Sequence, residues 1–129
     1  MQTACLFPGQ GAQHVGMGKD IRDASAAARE VFAAADRALG EPLSKLFLEG
    51  PEEALTLTAN AQPAIVTVSM ALLAAIKERV PGIHTPAYAA GHSLGEYSAL
   101  VATGALSVLA GVWMLAGPRT ESRRGAYGA

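Results

Sequence analysis

The sequence has a single cysteine, Cys5, set in the apolar run Ala4-Cys5-Leu6-Phe7. A disulfide framework is therefore excluded, and a reducing cytoplasm fits. Cys5 reads as a small buried hydrophobe. Charge is scarce as well: 16% of the 129 residues are charged, and the net charge is −1. No basic patch points to nucleic acid and no acidic tail to a cationic partner. Long hydrophobic runs are missing too. The best one, Ile65 to Ile76, stops at Lys77-Glu78-Arg79, short of an uninterrupted membrane span. The N-terminus lacks the basic, apolar and cleavage regions of a signal peptide. These absences predict a soluble cytoplasmic protein with no nucleic-acid or membrane partner. What is present is apolar: half of the residues are hydrophobic. That allows one domain with a real core and argues against disorder.

The order of signals along the chain is that of an α/β domain. Thr3 to Phe7 is a short apolar run closed by Pro8-Gly9, which predicts a buried strand and a turn. Residues 7–18 then carry glycine at positions 9, 11, 16 and 18. Such a loop takes unusual backbone angles or comes close to something else. Asp20 to Leu39 has helical spacing and predicts one or two helices ended by Gly40. Pro42 to Glu49 suggests another helix, and Pro51 with Glu52 and Glu53 suggests the start of a helical turn. The apolar segment Ala64 to Ile76 predicts a helix buried on most sides, with Asn60 or Gln62 near its cap. Ala87 to Ala90 predicts the last strand, and Leu94 to Thr103 the helix after it. A parallel sheet with helices follows from that order.

Between that strand and that helix lies Gly91-His92-Ser93-Leu94-Gly95, which matches G-x-S-x-G. In this pattern the serine sits on a sharp strand-to-helix turn that pushes its hydroxyl out of the fold. The two glycines are required because side chains there would meet the neighbouring strand and helix. The Leu94 N–H, just past the serine, points to where an oxyanion would form. A serine needs a base, and three histidines are candidates. His92 adjoins the serine but diverges from it on such a turn. His14 lies in the glycine-rich loop, and His84 lies between prolines. No histidine follows residue 92.

Three segments, FPGQGAQ at 7–13, NAQPAI at 60–65 and GHSLGEYSALVATGAL at 91–106, together resemble the malonyl-CoA:acyl carrier protein transacylases. The acyltransferase domains of fatty acid and polyketide synthases belong to the same family. The resemblance implies an α/β-hydrolase-like large subdomain with a parallel sheet and an inserted ferredoxin-like small subdomain. It implies that Ser93 takes the malonyl group from a coenzyme A thioester as an ester. The backbone N–H groups of Gln10 and Leu94 would form the oxyanion hole. His92 would stand beside the nucleophile without being the base, and Gln62 would line the acyl pocket. The acceptor would be the phosphopantetheine thiol of acyl carrier protein, with coenzyme A as substrate carrier and no bound cofactor or metal.

The sequence departs from the family in two places. The position of the arginine that pairs with the malonyl carboxylate falls at Pro118, with Arg119 one residue late. The family's catalytic histidine and its small subdomain would lie beyond residue 129. The expected division is therefore residues 1–107 as the N-terminal part of an acyltransferase domain and 108–129 as a divergent tail, with disorder an open alternative. Val112-Trp113-Met114-Leu115 still looks helical, with Gly117-Pro118 as its end. A truncated chain with an incomplete sheet is the expectation, against a natural short variant. An impaired enzyme is then weighed against a non-catalytic fragment that binds a carrier protein or a partner chain, and against an ordinary serine hydrolase.

Overall fold

The computed structural model describes residues 2–83 and 86–117. In chain order the elements are β1 (Ala4–Phe7), α1 (Lys19–Ala24), α2 (Ala26–Leu39), α3 (Leu43–Glu49), α4 (Glu52–Thr56), α5 (Thr58–Arg79), β2 (Tyr88–Gly91), α6 (Gly95–Ala102) and α7 (Val108–Ala116). β1 and β2 pair in parallel, from Ala4 against Tyr88 to Phe7 against Gly91. The ladder continues past both ends. The Ala87 N–H donates to the Thr3 carbonyl at 2.9 Å, and the His92 N–H donates to the Phe7 carbonyl at 3.2 Å.

The strands alternate. Cys5, Phe7 and Ala89 pack toward the core, whereas Ala4, Leu6, Tyr88 and Ala90 are exposed. The run at 3–7 reads as a strand buried on both faces. Among the described residues only one face is covered, by helices that include α6. Cys5 is accordingly half-buried rather than buried. Leu6 is 81% exposed and Tyr88 66% exposed.

α5 is the centre of the helical layer, with α1, α2, α3, α4, α6 and α7 all packed against it. Its sequence is apolar nearly all round, and Ala61, Ala64, Ile65, Val66, Thr67 and Ala71 are among its buried residues. It starts at Thr58, six residues before the apolar run, with Pro63 inside it. The proline did not mark the start because early in a helix its missing N–H leaves only the Ala59 carbonyl without its usual partner. Asn60 does not cap the helix either. Its side chain donates to the Ala54 carbonyl at 2.8 Å and so ties α4 to α5. By length and composition α5 is apolar enough to cross a membrane, but two thirds of its apolar stretch is buried by the other helices (67%). That is the pattern of a core helix.

The far end of α5 is tied to the junction of α1 and α2. Arg79 donates to the Ala24 carbonyl at 2.6 Å. The buried Ser25 hydroxyl caps α2 by accepting from the Ala28 N–H at 3.1 Å, and it donates to the Glu78 carboxylate. α2 ends at Gly40, as the sequence predicts. Phe32 of α2 and Phe47 of α3 stack edge to face with centroids 5.0 Å apart, and Asp36 accepts from the Ser44 N–H at 2.8 Å at the start of α3.

The division expected at residue 107 does not coincide with an end of the fold. Residues 108–116 form α7, capped by the Ser107 hydroxyl and with Gly111, Val112 and Ala116 buried. α7 packs on α5 and α2 and stops at Gly117, the predicted end. Pro118, Arg119 and the rest of the tail lie outside the described residues, as does His84.

Candidate functional site

The chain leaves β2 through a very tight turn. Ser93 has a φ of 56°, and it is the only residue other than glycine with positive φ among those described. A side chain there adopts the left-handed region at a cost of roughly 1–2 kcal/mol, so packing must hold it. The holding is visible. A Cβ on Gly91 would sit 2.0 Å from the Gly95 carbonyl carbon and oxygen, and one on Gly95 would sit 2.5 Å from the Phe7 carbonyl oxygen. The turn is therefore wedged between its own helix and the end of β1. The Gly95 N–H donates to the His92 carbonyl at 2.9 Å, and the Glu96 N–H to the Ser93 carbonyl at 3.0 Å. Ser93 and His92 are exposed, whereas Leu94 and Gly95 are buried. Leu94 precedes the first residue of α6.

The loop after β1 reaches the same place. A Cβ on Gly9 would lie 2.8 Å from the His92 carbonyl oxygen, 2.9 Å from His92 Nδ1 and 3.5 Å from Ser93 Cβ. The glycine-rich loop thus abuts the serine turn, and Gln10 follows directly. Among the described residues neither the Gln10 N–H nor the Leu94 N–H donates a hydrogen bond. Both amides are thus available to donate to an oxyanion that forms at Ser93.

The loop is fixed at several points. The Gln10 side chain donates from Nε2 to Thr58 Oγ1 at 3.1 Å. The Val15 N–H donates to Glu52 Oε2 at 3.0 Å and the Gly16 N–H to the Phe47 carbonyl at 2.8 Å. Met17 is buried. The sequence marks Glu52 only as an acid at the start of a helical turn, and no local pattern marks Thr58, which lies 48 residues from its partner. Gln62 is half-buried on α5 one turn after Thr58, so the two share a stripe of the helix.

His14 is exposed and lines a different region, an apolar groove of about 560 Å³ between the loop, α1 and α5 that does not include Ser93. Among the described residues no cluster of three or more His, Cys, Asp or Glu side chains could hold a metal ion.

A parallel sheet, a serine on a strained strand-to-helix turn and a second loop against it define an α/β domain of the nucleophile-elbow class. The acyl transferase domain model matches residues 5–124, and the chain belongs to that family. It is 57% identical over 106 residues to the malonyl CoA-acyl carrier protein transacylase of Bacillus subtilis, covering 82% of this chain and 32% of that protein. Among solved structures, the acyl-carrier-protein S-malonyltransferase of Bartonella henselae superposes with a TM-score of 0.84 at 47% identity, over 90% of this chain and 37% of the other. A malonyl-transacylase in complex with a type II polyketide synthase acyl-carrier protein superposes with a TM-score of 0.79 at 40% identity, over 87% of this chain and 36% of the other. The chain spans about a third of the length of these relatives.

Proposed function

We propose that this chain carries the nucleophile and the oxyanion donors of a malonyl transfer centre. The Ser93 oxygen attacks the thioester carbonyl carbon of malonyl-CoA, and the negative charge that develops on the carbonyl oxygen meets the N–H groups of Gln10 and Leu94. The C–S bond breaks, coenzyme A leaves as the thiol with the serine's proton, and a malonyl ester remains. The phosphopantetheine thiol of acyl carrier protein then takes the acyl group and restores the hydroxyl. Fatty acid or polyketide synthesis is the proposed setting; the neighbour in complex with a type II polyketide synthase acyl-carrier protein supports the latter. His92 shapes the turn through its carbonyl, which accepts from Gly95. Gln62 is assigned to the acyl pocket.

One observation carries the reading: Ser93 at φ 56° with Gly9 packed against it. Radiolabelled malonyl-CoA tests it. Label mapped to the peptide containing Ser93, and lost in Ser93→Ala, supports the proposal. Label that persists in Ser93→Ala overturns it. The family's base falls past residue 129, so these 129 residues alone are expected to acylate slowly and turn over little, because a serine without its base loses most of its rate.

The sheet face left uncovered among the described residues favours a second reading, in which the chain binds a polypeptide that covers Leu6 and Tyr88 and brings the base. Parallel sheets are normally covered on both faces. Mixing the chain with a polypeptide equivalent to the rest of a relative would then restore transfer to acyl carrier protein. A mixture that neither co-elutes nor transfers would remove this reading.

A further inference from the structure

Gln10 is flanked by Gly9 and Gly11. Neither neighbour has a side chain to resist rotation of the peptide planes on either side of Gln10. An amide donor is useful at a reaction centre only when its direction is fixed beforehand. The Gln10 N–H donates no hydrogen bond among the described residues, and the bonds on its two peptide planes stay inside the loop: the Ala12 N–H donates to the Gly9 carbonyl at 3.4 Å and the Gly11 N–H to Gln13 Oε1 at 2.7 Å. The Gln10 side chain is fixed: Nε2 donates to Thr58 Oγ1 at 3.1 Å, on the first residue of α5. Thr58 is exposed at the start of α5, a helix that packs against α1, α2, α3, α4, α6 and α7.

We propose that Thr58 is a positioning residue: through the Gln10 side chain it aims the Gln10 backbone N–H at the carbonyl oxygen that Ser93 attacks. This rests on the acyl-transfer reading above. Thr58 touches neither the acyl group nor the serine. It acts by tying the loop turn that carries this amide to a helix outside the loop. A single neutral hydrogen bond of this kind accounts for roughly a five- to tenfold effect. The valine variant keeps the shape and removes the acceptor, and the serine variant keeps the acceptor.

The test measures single-turnover acylation of Ser93 by malonyl-CoA in four chains: wild type, Thr58→Val, Thr58→Ser and Gln10→Ala. Thr58→Val is expected to acylate about five- to tenfold more slowly at saturating malonyl-CoA, with an unchanged half-saturation concentration and thermal midpoint. Thr58→Ser is expected within about twofold of wild type, and adding Thr58→Val to Gln10→Ala should cost nothing more. Equal rates in wild type and Thr58→Val, or equal losses in the valine and serine variants, would overturn the proposal. The Gln10 backbone amide resonance gives a readout independent of turnover. Thr58→Val should broaden it and speed its exchange with solvent, while Thr58→Ser should not. If wild type is not acylated, the functional reading fails but the resonance still decides: no change in Thr58→Val removes the positioning role.

Discussion

Phe7 and Gly91 face each other at the last register pair of the parallel sheet, so the glycine-rich loop and the serine turn leave the sheet at the same end. Ligands of open α/β sheets bind beyond the carboxyl ends of the strands, where such loops converge. Sheet register therefore brings the start of the glycine-rich loop to the serine turn, and Gly9 makes the contact itself.

Gly91→Ala tests the wedge. Its Cβ would lie 2.0 Å from backbone atoms of Gly95, which cannot swing aside. A loss of about 3 kcal/mol or more is expected, seen as a large fall in the urea midpoint. An unchanged midpoint would mean that the turn is not packed as described.

Ser93→Gly should stabilise the chain while abolishing acylation. Glycine has no penalty at φ 56°, so a gain of about 1 kcal/mol is expected. The thermal midpoint should rise by about 4 °C, and Ser93→Ala should leave it near wild type. A midpoint that falls in Ser93→Gly would show that the hydroxyl contributes to stability.

Glu78 makes stability depend on acid. The Ser25 hydroxyl, and then the Ala27 N–H, donate to its carboxylate and hold its pKa below the ordinary 4.5. A carboxyl with a depressed folded pKa stabilises above its unfolded pKa, and that contribution is lost as pH falls through the folded value. The stability difference between wild type and Glu78→Gln should therefore be constant near neutral pH and shrink below about pH 4.5. Ser25→Ala should flatten the same window and also remove the cap of α2, which costs about 1 kcal/mol. Chemical denaturation at a series of pH values reads both.

Ser107→Ala decides whether α7 is an integral part of the domain. The Ala110 N–H donates to Ser107 Oγ at 3.1 Å, and losing that cap should cost about 1 kcal/mol of global stability. An unaltered urea midpoint would mean that α7 frays independently.

Much of this was legible in the sequence. The G-x-S-x-G turn reads locally because its Gly91–Gly95 contact falls within five positions, although Phe7 at the end of β1 closes its other side. The end of α2 reads locally because Gly40 takes the left-handed cap. The start of α5 did not, since a proline early in a helix looks like its boundary. Nor did the packing of α7. A polar tail follows it, yet Val112 and Ala116 are buried and α7 packs on α2 and α5, far away in sequence. Among the site residues, Ser93, Leu94 and Gln10 were named from motifs. Their convergence depends on the parallel register, and the Thr58 tether depends on a contact that no short window contains.

One helix, α5, lies under both halves of the site: Gln10 is tied to its first turn, and α6, which follows Ser93, packs along it. The two proposed amide donors are thus both tied to one helix. A substitution that tilts α5 would shift them together and preserve their spacing, so its effect would fall on how they meet the acyl group. Changes in the connecting loops would instead alter the gap between them.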